Sequence, residues 1–477
     1  MFLMSIVDVF ITGWSSEPYT GGAYSTLGVG ATPADRSALT EVLGGRVTFA
    51  GEHLSVDYPA TMHGAYNTGV EAAKRLLVAQ PKAKAAVIVG AGLSGLAAAQ
   101  TLRNAGLAVT VLEATSQLGG RARTQLIWDN RTIHPGAAWI HGDIGNPIAE
   151  LARSVHIGFP HEPSQTQHIM VSAPKTVDGA THYGPAVALS STDATQVLAV
   201  TQHVHDELSR VAEVHRNSGK PDEAIRLTLE ALLREVDDAQ TRKIAATQLM
   251  QHFESLLAGS VDDLSLHHGD EPYAYPGGDH YLTTPLEPLI QKLTIGLNVV
   301  FGSPVTDVSW DTSSVHIAHL DRHSADVAVI AVPLIPLQRG AITFTPQLPE
   351  ALHASLHRLR MGSKTKVFVR FTEKWWGDTH TIWVYPSEST EQLGTQETPT
   401  RGKDQILVSP LWPEWVDASD VAGVPTLFCF VSGMEGQRIA ELGATPHGLE
   451  LVRAEVENLF AALQPALIEG STSNPGT

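Results

Sequence analysis

The 477-residue sequence predicts an α/β architecture of two domains, one of them built on a βαβ unit whose strands are buried on both faces. Three stretches predict it. Ala85 to Glu113 reads as strand, glycine turn, helix and strand in succession. Val327 to Val332 is another wholly apolar run, ended by Pro333, as expected of a strand buried on both faces. Residues 193–258 instead carry helical periodicity, with Val197, Val200, Val204, Leu208 and Val211 on one stripe. Ile225, Leu229, Leu232 and Val236 make a second stripe.

Ala85–Val89 runs into Gly90-x-Gly92-x-x-Gly95, and Leu93 to Ala105 reads as a helix closed by Gly106. Gly90 permits the tight turn, Gly92 lets backbone approach a pyrophosphate, and Gly95 lets helix and strand pack closely. The helix N-terminus supplies N–H groups and partial positive charge to phosphates. Leu107 to Leu112 forms the next strand, and Glu113 ends it, placed to accept ribose hydroxyls. Strand, glycines, helix, strand and acid in this order specify a dinucleotide site far better than the glycines alone.

Composition bounds the rest. Hydrophobic content of 43% and charged content of 17% describe an ordinary globular enzyme of two or three domains. A net charge of −18 without basic runs argues against nucleic acid or anionic membrane as partner. Cys429 is the only cysteine, which excludes an intrachain disulfide or a Cys-rich metal site. The histidines show no HExxH-type spacing, so no metal is expected, and no GxSxG nucleophile motif is present. Residues 1–12 lack a basic n-region and a cleavage site, and they read as a strand. No apolar run approaches the roughly 20 residues of a membrane span. A cytoplasmic protein is the expectation, with a homodimer as an open option.

Gly119-Gly120-Arg121-x-Arg123-Thr124 follows Glu113 and is foreign to the plain NAD fingerprint. Residues 14–65 add Trp14-x4-Tyr19-x4-Tyr24, then Phe49-Ala-Gly51-Glu52-His and Tyr58-Pro-Ala60-Thr61-Met62-His-Gly-Ala. With these motifs the chain resembles the flavin-containing amine oxidases over nearly its whole length, in the polyamine oxidase and histone demethylase branch. The resemblance implies FAD as cofactor and an FAD-binding Rossmann-type domain with an α+β substrate domain. In that family the residue 14–65 motifs lie at the C-terminal end. Here they precede the dinucleotide unit, so the chain order looks circularly permuted, with a join through Gln80–Lys84.

The resemblance assigns roles by position. Gly90, Gly92, Gly95, Glu113, Gly120, Arg121, Gly136, Ala137, Val305, Gly51, Glu52, Ala60, Thr61 and Met62 fall at cofactor-binding positions, Arg121 near the pyrophosphate and Glu52 on a cofactor hydroxyl. Lys366 matches the lysine that holds a water against flavin N5, with Lys364 expected to face solvent. Tyr24 and Thr61 would face the flavin. Ala23 takes the position of the cysteine that tethers FAD in monoamine oxidases, so binding should be non-covalent. His141, in Trp139-Ile-His-Gly, falls at a position beside the flavin. The implied reaction oxidises a primary or secondary amine to imine and aldehyde, with O₂ reduced to H₂O₂. An L-amino-acid oxidase is the first alternative, although its carboxylate-clamping Arg would fall where Ala138 and Trp139 stand. A same-fold desaturase or demethylase and a non-catalytic FAD-binding protein are the others.

The expected FAD domain comprises 20–145 and 268–335. The substrate domain comprises 1–19, 146–267 and 336–470; after Pro465 the chain reads as dissolving into a loose end, with 471–477 as the flexible tail, and 385–405 reads as a polar loop. Because Ala23 removes the tether, acid precipitation should release all the flavin to the supernatant. Yellow colour left on the pellet would show the alignment around Tyr24 to be wrong.

Overall fold

The computed structural model describes residues 5–163, 165–172, 175–177, 180–318, 322–386, 407 and 411–472. Its contacts divide the chain into two compact units. One comprises Trp14–Glu162 and His268–Gly362; the other comprises Met1–Gly13, Pro163–His267 and Ser363–Thr477. The first unit thus takes in 14–19, 146–162 and 336–362, beyond the bounds read from sequence, and each stretch has a local anchor. The Trp14 indole donates to the Pro135 carbonyl at 2.9 Å. The Gly158 amide donates to Thr284 Oγ1 at 2.9 Å. Arg358 Nε reaches Asp35 Oδ1 at 2.8 Å.

In the first unit a five-stranded parallel sheet runs in the order Asn298–Val300, Ala108–Leu112, Ala85–Val89, Val327–Ile330, Val47–Phe49. Period-two alternation sends its side chains into two cores. Ala86, Ile88, Val327 and Val329 pack with Ala72, Leu76, Leu96 and Ala99 of the covering helices. Val87, Val89, Ala328 and Ile330 pack with Val308, Ile317 and Leu352 on the other face. The helices Met62–Ala79 and Leu93–Asn104 lie so close that a Cβ at Gly69 would fall 2.0 Å from the Ser94 carbonyl oxygen. The expected βαβ unit is present, its second strand starting at Ala108.

In the second unit a seven-stranded sheet runs Ile6–Ile11, Lys364–Phe371, Thr426–Ser432, Glu414–Asp417, Thr381–Pro386, Thr166–Val171, Ala186–Ala188. Ile6–Ile11 is an edge strand, antiparallel to Lys364–Phe371. Helices Ser191–Asn217, Ile225–Arg234 and Ala239–Gln251 share a core of Val204, Leu208, Leu229, Leu233 and Leu249. This is the three-helix layer that the two stripes predict. The last helix widens into a π turn at His252–Leu256. No helix among the described residues is long and apolar enough to cross a membrane.

The expected loose end after Pro465 is corrected. The final helix spans Pro446–Thr472 with Pro465 inside it. Proline forfeits one backbone bond and crowds the preceding turn. Beyond it, Ala466 and Leu467 bury against the core that holds Val452, Val456, Leu459, Phe460 and Leu463, which offsets that cost. Residues 473–477 and 387–405, also expected to be loose, lie outside the described residues, while Tyr385 and Pro386 end a strand. Leu467→Ala should therefore cost about 2–4 kcal/mol in denaturant unfolding. A loss under about 0.5 kcal/mol, the scale of a surface substitution, would mean this end does not pack.

Candidate active site

The glycine turn is built by close approach. A Cβ on Gly90, at φ +103°, would meet the Ala331 carbonyl oxygen at 2.6 Å, and one on Gly95 would meet the Gly90 carbonyl oxygen at 1.9 Å. At Gly92, the N-cap of the helix, a Cβ would find nothing within 4 Å. That open space at a helix N-terminus is where a phosphate can approach. The Gly119 amide donates to the Ala91 carbonyl at 2.9 Å, laying the second glycine loop alongside the first. Glu113 accepts from the Ala91 amide at 2.7 Å and from the Thr115 amide at 2.9 Å. Its carboxylate thus holds the turn and keeps lone pairs for a ribose hydroxyl. The Gly302 and Ser303 amides donate to the Thr115 and Glu113 carbonyls, and Val305 just beyond them packs its side chain into the core.

Arg121 is pinned rather than loose. Its Nη1 donates to the Ala23 carbonyl at 2.8 Å and to Glu52 Oε1 at 2.8 Å. Its own carbonyl accepts the Ala137 amide at 3.1 Å, and a Cβ on Gly136 would overlap that carbonyl oxygen at 2.0 Å. Glu52 does not offer its carboxylate freely to a cofactor hydroxyl. Besides Arg121 it accepts from Ser25 Oγ at 2.7 Å and from the Ala60 amide at 3.2 Å. Burial alone would raise its pKa, but Arg121, His53, Ser25 and Arg36 bring it down to about 2. The Ala60 contact holds that residue at φ +61°, just before the helix. Thr61 caps the helix: its Oγ1 accepts from the Gly64 amide at 2.9 Å and donates to the Tyr58 carbonyl at 2.9 Å. Met62 is buried in the core. Tyr24 binds Gly362 through its carbonyl, and its phenol pKa is pushed up by burial and by Glu52.

His141 lies on a short ladder directly opposite Asp279, and its Nδ1 is 2.9 Å from Asp279 Oδ1. Tyr273 meets its ring edge-on at 5.1 Å. His63, on the first turn of the Thr61-capped helix, bonds the Tyr273 carbonyl through Nε2 at 2.8 Å. Tyr58 and Tyr275 stack beside it, with centroids 4.3 Å apart. Sequence reading missed Asp279 and the three tyrosines, because only strand register and long-range packing bring them to His141 and His63.

Lys366 belongs to the other unit. It is buried within Lys364–Phe371, its amide donating to Thr12 Oγ1 at 2.8 Å and its Nζ 4.9 Å from the Phe428 ring centroid. Burial, aided by Lys364, holds its pKa well below the usual lysine value. The expectation that Lys364 faces solvent is corrected. Its Nζ donates to the Ser255 carbonyl at 2.8 Å and lies 3.7 Å from the Phe430 ring centroid. Burial brings its pKa down to about 8, opposed by Glu414. Residues i and i+2 share a strand face, so the cover over Lys366 also shields Lys364.

The flavin containing amine oxidoreductase family model matches residues 6–77 and 93–472. The chain belongs to that family. Lysine-specific histone demethylase 1B of Mus musculus is 29% identical over 340 residues, 67% of this chain and 38% of the relative. Polyamine oxidase 3 of Oryza sativa subsp. japonica is 27% identical over 316 residues, 63% of this chain and 62% of the relative. The chain thus spans 38% and 62% of these relatives' lengths. A wild-type putrescine oxidase bound to putrescine shares the fold, with a TM-score of 0.55 at 21% identity, covering 81% of this chain and 83% of that one.

The cofactor of this amine oxidoreductase is FAD, and the residues fit it. Gly92 would leave backbone open to a pyrophosphate, Arg121 would supply cationic donors, Glu113 has lone pairs that could take a ribose hydroxyl, and Ala23 has no sulfur for a tether. His53, beside Glu52, is buried with neither ring nitrogen partnered, and burial brings its pKa down to about 4. This imidazole is neutral in the fold and protonates near pH 6.5 when unfolded, so the unfolded state binds more protons between those values. Its contribution to stability is full above pH 6.5 and is lost as pH falls towards 4. His53→Leu should therefore flatten the decline of the apoprotein's Tm across that window. An unchanged slope would show that His53 is not the buried neutral group described.

Proposed function

We propose that the chain is an FAD-dependent amine oxidase that converts a primary or secondary amine, of polyamine or monoamine type, to imine and then aldehyde. The observation that carries this reading is Lys366, an intact, buried amine four residues after Gly362 in a chain whose FAD cradle is complete. A protein that only binds flavin has no use for an ammonium with its solvation removed. Bound FAD supplies the hydride acceptor for the amine's α-carbon and, reoxidised by O₂, yields H₂O₂. Lys366, its pKa held well below the usual lysine value by burial, holds a water and exchanges a proton with it. His141, its Nδ1 engaged by Asp279, presents its other nitrogen to the substrate amine. Tyr24 remains a neutral phenol, and the Thr61-capped helix contributes a positive N-terminal potential. Ala138 and Trp139, where an amino-acid oxidase would place its Arg clamp, favour an amine without a carboxylate.

Circular permutation belongs to the same reading. The family match falls into two segments separated at 78–92, which brackets the Gln80–Lys84 join. The named relatives make diamines and polyamines the first compounds to test, with simple monoamines and methylated lysine peptides beside them. A stopped-flow screen for anaerobic flavin bleaching should find at least one fast reductant. Bleaching by none of the amines, with a response only to amino acids, would overturn the reading.

Lys366→Met keeps the stem and removes the amine. O₂ reoxidation should slow by at least about tenfold, roughly 1.4 kcal/mol of barrier, while reduction by amine changes less. Lys74→Met, at an exposed helix position, is the control. If Lys366→Met and Lys74→Met behave alike in both half-reactions, Lys366 is structural.

A further inference from the structure

Arg36 and Glu271, 235 residues apart, form an ion pair whose side chains are 0% and 6% exposed. Arg36 Nε and Nη2 grip the two carboxylate oxygens at 2.8 and 2.7 Å. Its remaining terminal nitrogen, Nη1, reaches the His53 carbonyl at 2.9 Å and Ser25 Oγ at 2.7 Å. A hydroxyl has one proton to give. Because Arg36 donates to Ser25, the Ser25 proton is directed onward to Glu52 Oε2, 2.7 Å away. That commitment leaves Glu52 Oε1 facing Arg121 Nη1 at 2.8 Å. Charges alternate along the buried chain Glu271, Arg36, Glu52, Arg121, and Ser25 is its single neutral link.

We propose that Arg36 and Ser25 are positioning residues for the cofactor: they fix the Glu52 carboxylate and, through it, the Arg121 guanidinium that receives the FAD pyrophosphate. This rests on Arg121 meeting the pyrophosphate. A guanidinium already oriented before binding loses less freedom when the anion arrives, so the relay acts on FAD affinity. Arg36 acts at a distance from the ligand. Its partner Glu271 lies in the segment that also carries Tyr273 and Tyr275.

The test is FAD titration of the apoprotein by fluorescence quenching, alongside the apoprotein's Tm. Ser25→Ala keeps all four charges and cuts only the link. It should weaken FAD binding roughly tenfold, as expected for one hydrogen bond to a charged group, with little change in Tm. Arg36→Met with Glu271→Met removes the pair without stranding a charge, and it should weaken binding similarly. In an Arg121→Met background Ser25→Ala should add less than about twofold, because the two act through one contact. Binding by Ser25→Ala within about twofold of wild type, or full additivity with Arg121→Met, overturns the proposal. An Arg121→Met variant that binds FAD like wild type would instead remove the pyrophosphate assignment itself.

Discussion

The first unit's site depends on one buried carboxylate. Glu52 is 5% exposed, and a charge so placed is tolerated only with partners on every side. Those partners come from three separate stretches: Arg121 from the second glycine loop, Ser25 from beside Ala23 and Tyr24, and the Ala60 amide from the turn before the capped helix. Satisfying Glu52 therefore brings together the Arg121 guanidinium, the stretch that carries Ala23 and Tyr24, and the start of the helix. Burial alone would raise the Glu52 carboxyl pKa, and these partners together with His53 and Arg36 bring it down to about 2. One residue converts three loops into one surface.

What the sequence made legible was local. The strand, turn and helix from Ala85 to Leu112 follow from adjacent residues, and so do the caps at Thr61 and Asn146, which accept the amides of Gly64 and Ile148. Motif matches carried the family. Contacts at long range were not legible: nothing near Arg36 announces Glu271, and Asp279 acquires meaning only when register sets it opposite His141. A motif sets Glu52 at a cofactor position, and only the structure adds its contacts to Arg121, Ser25 and the Ala60 amide. At Pro465 the local reading fails. Proline is a strong local stop signal, but Ala466 and Leu467 have a core to enter, and tertiary burial wins.

Lys364 and Lys366 show the same principle acting through a sheet. Lys364 is expected to face solvent and Lys366 is not, yet the two share one face of a strand that is largely buried on both. One face carries Val367, Val369 and Phe371 into an aliphatic and aromatic core. The other sets two lysines against Phe428 and Phe430. Aromatic faces recover some of the attraction that water would give an ammonium, and the Ser255 carbonyl gives Lys364 a direct acceptor. Since both ammonium groups face the Phe430 ring, ionising one disfavours ionising the other. Burial is the larger cause of the lowered Lys366 pKa, and Lys364, expected to face solvent, adds to it.

The strands among residues 5–80 all lie at sheet edges. The strand Ile6–Ile11 lies at the edge of the seven-stranded sheet, and Val47–Phe49 at the edge of the five-stranded one. Ser25–Leu27, the remaining strand of the first eighty residues, pairs only with Leu359–Met361. An edge strand has one neighbour, so it can be supplied from either end of a chain without threading through a finished ladder. A central strand such as Val327–Ile330, hydrogen-bonded on both sides, has no such freedom. The helix Met62–Ala79 then packs against Leu93–Asn104 across the Gly69 contact, and the five residues 80–84 suffice to connect it to Ala85–Val89. Across so short a link, Ala72, Ala73 and Leu76 of the helix share one core with Ala86 and Ile88 of the strand.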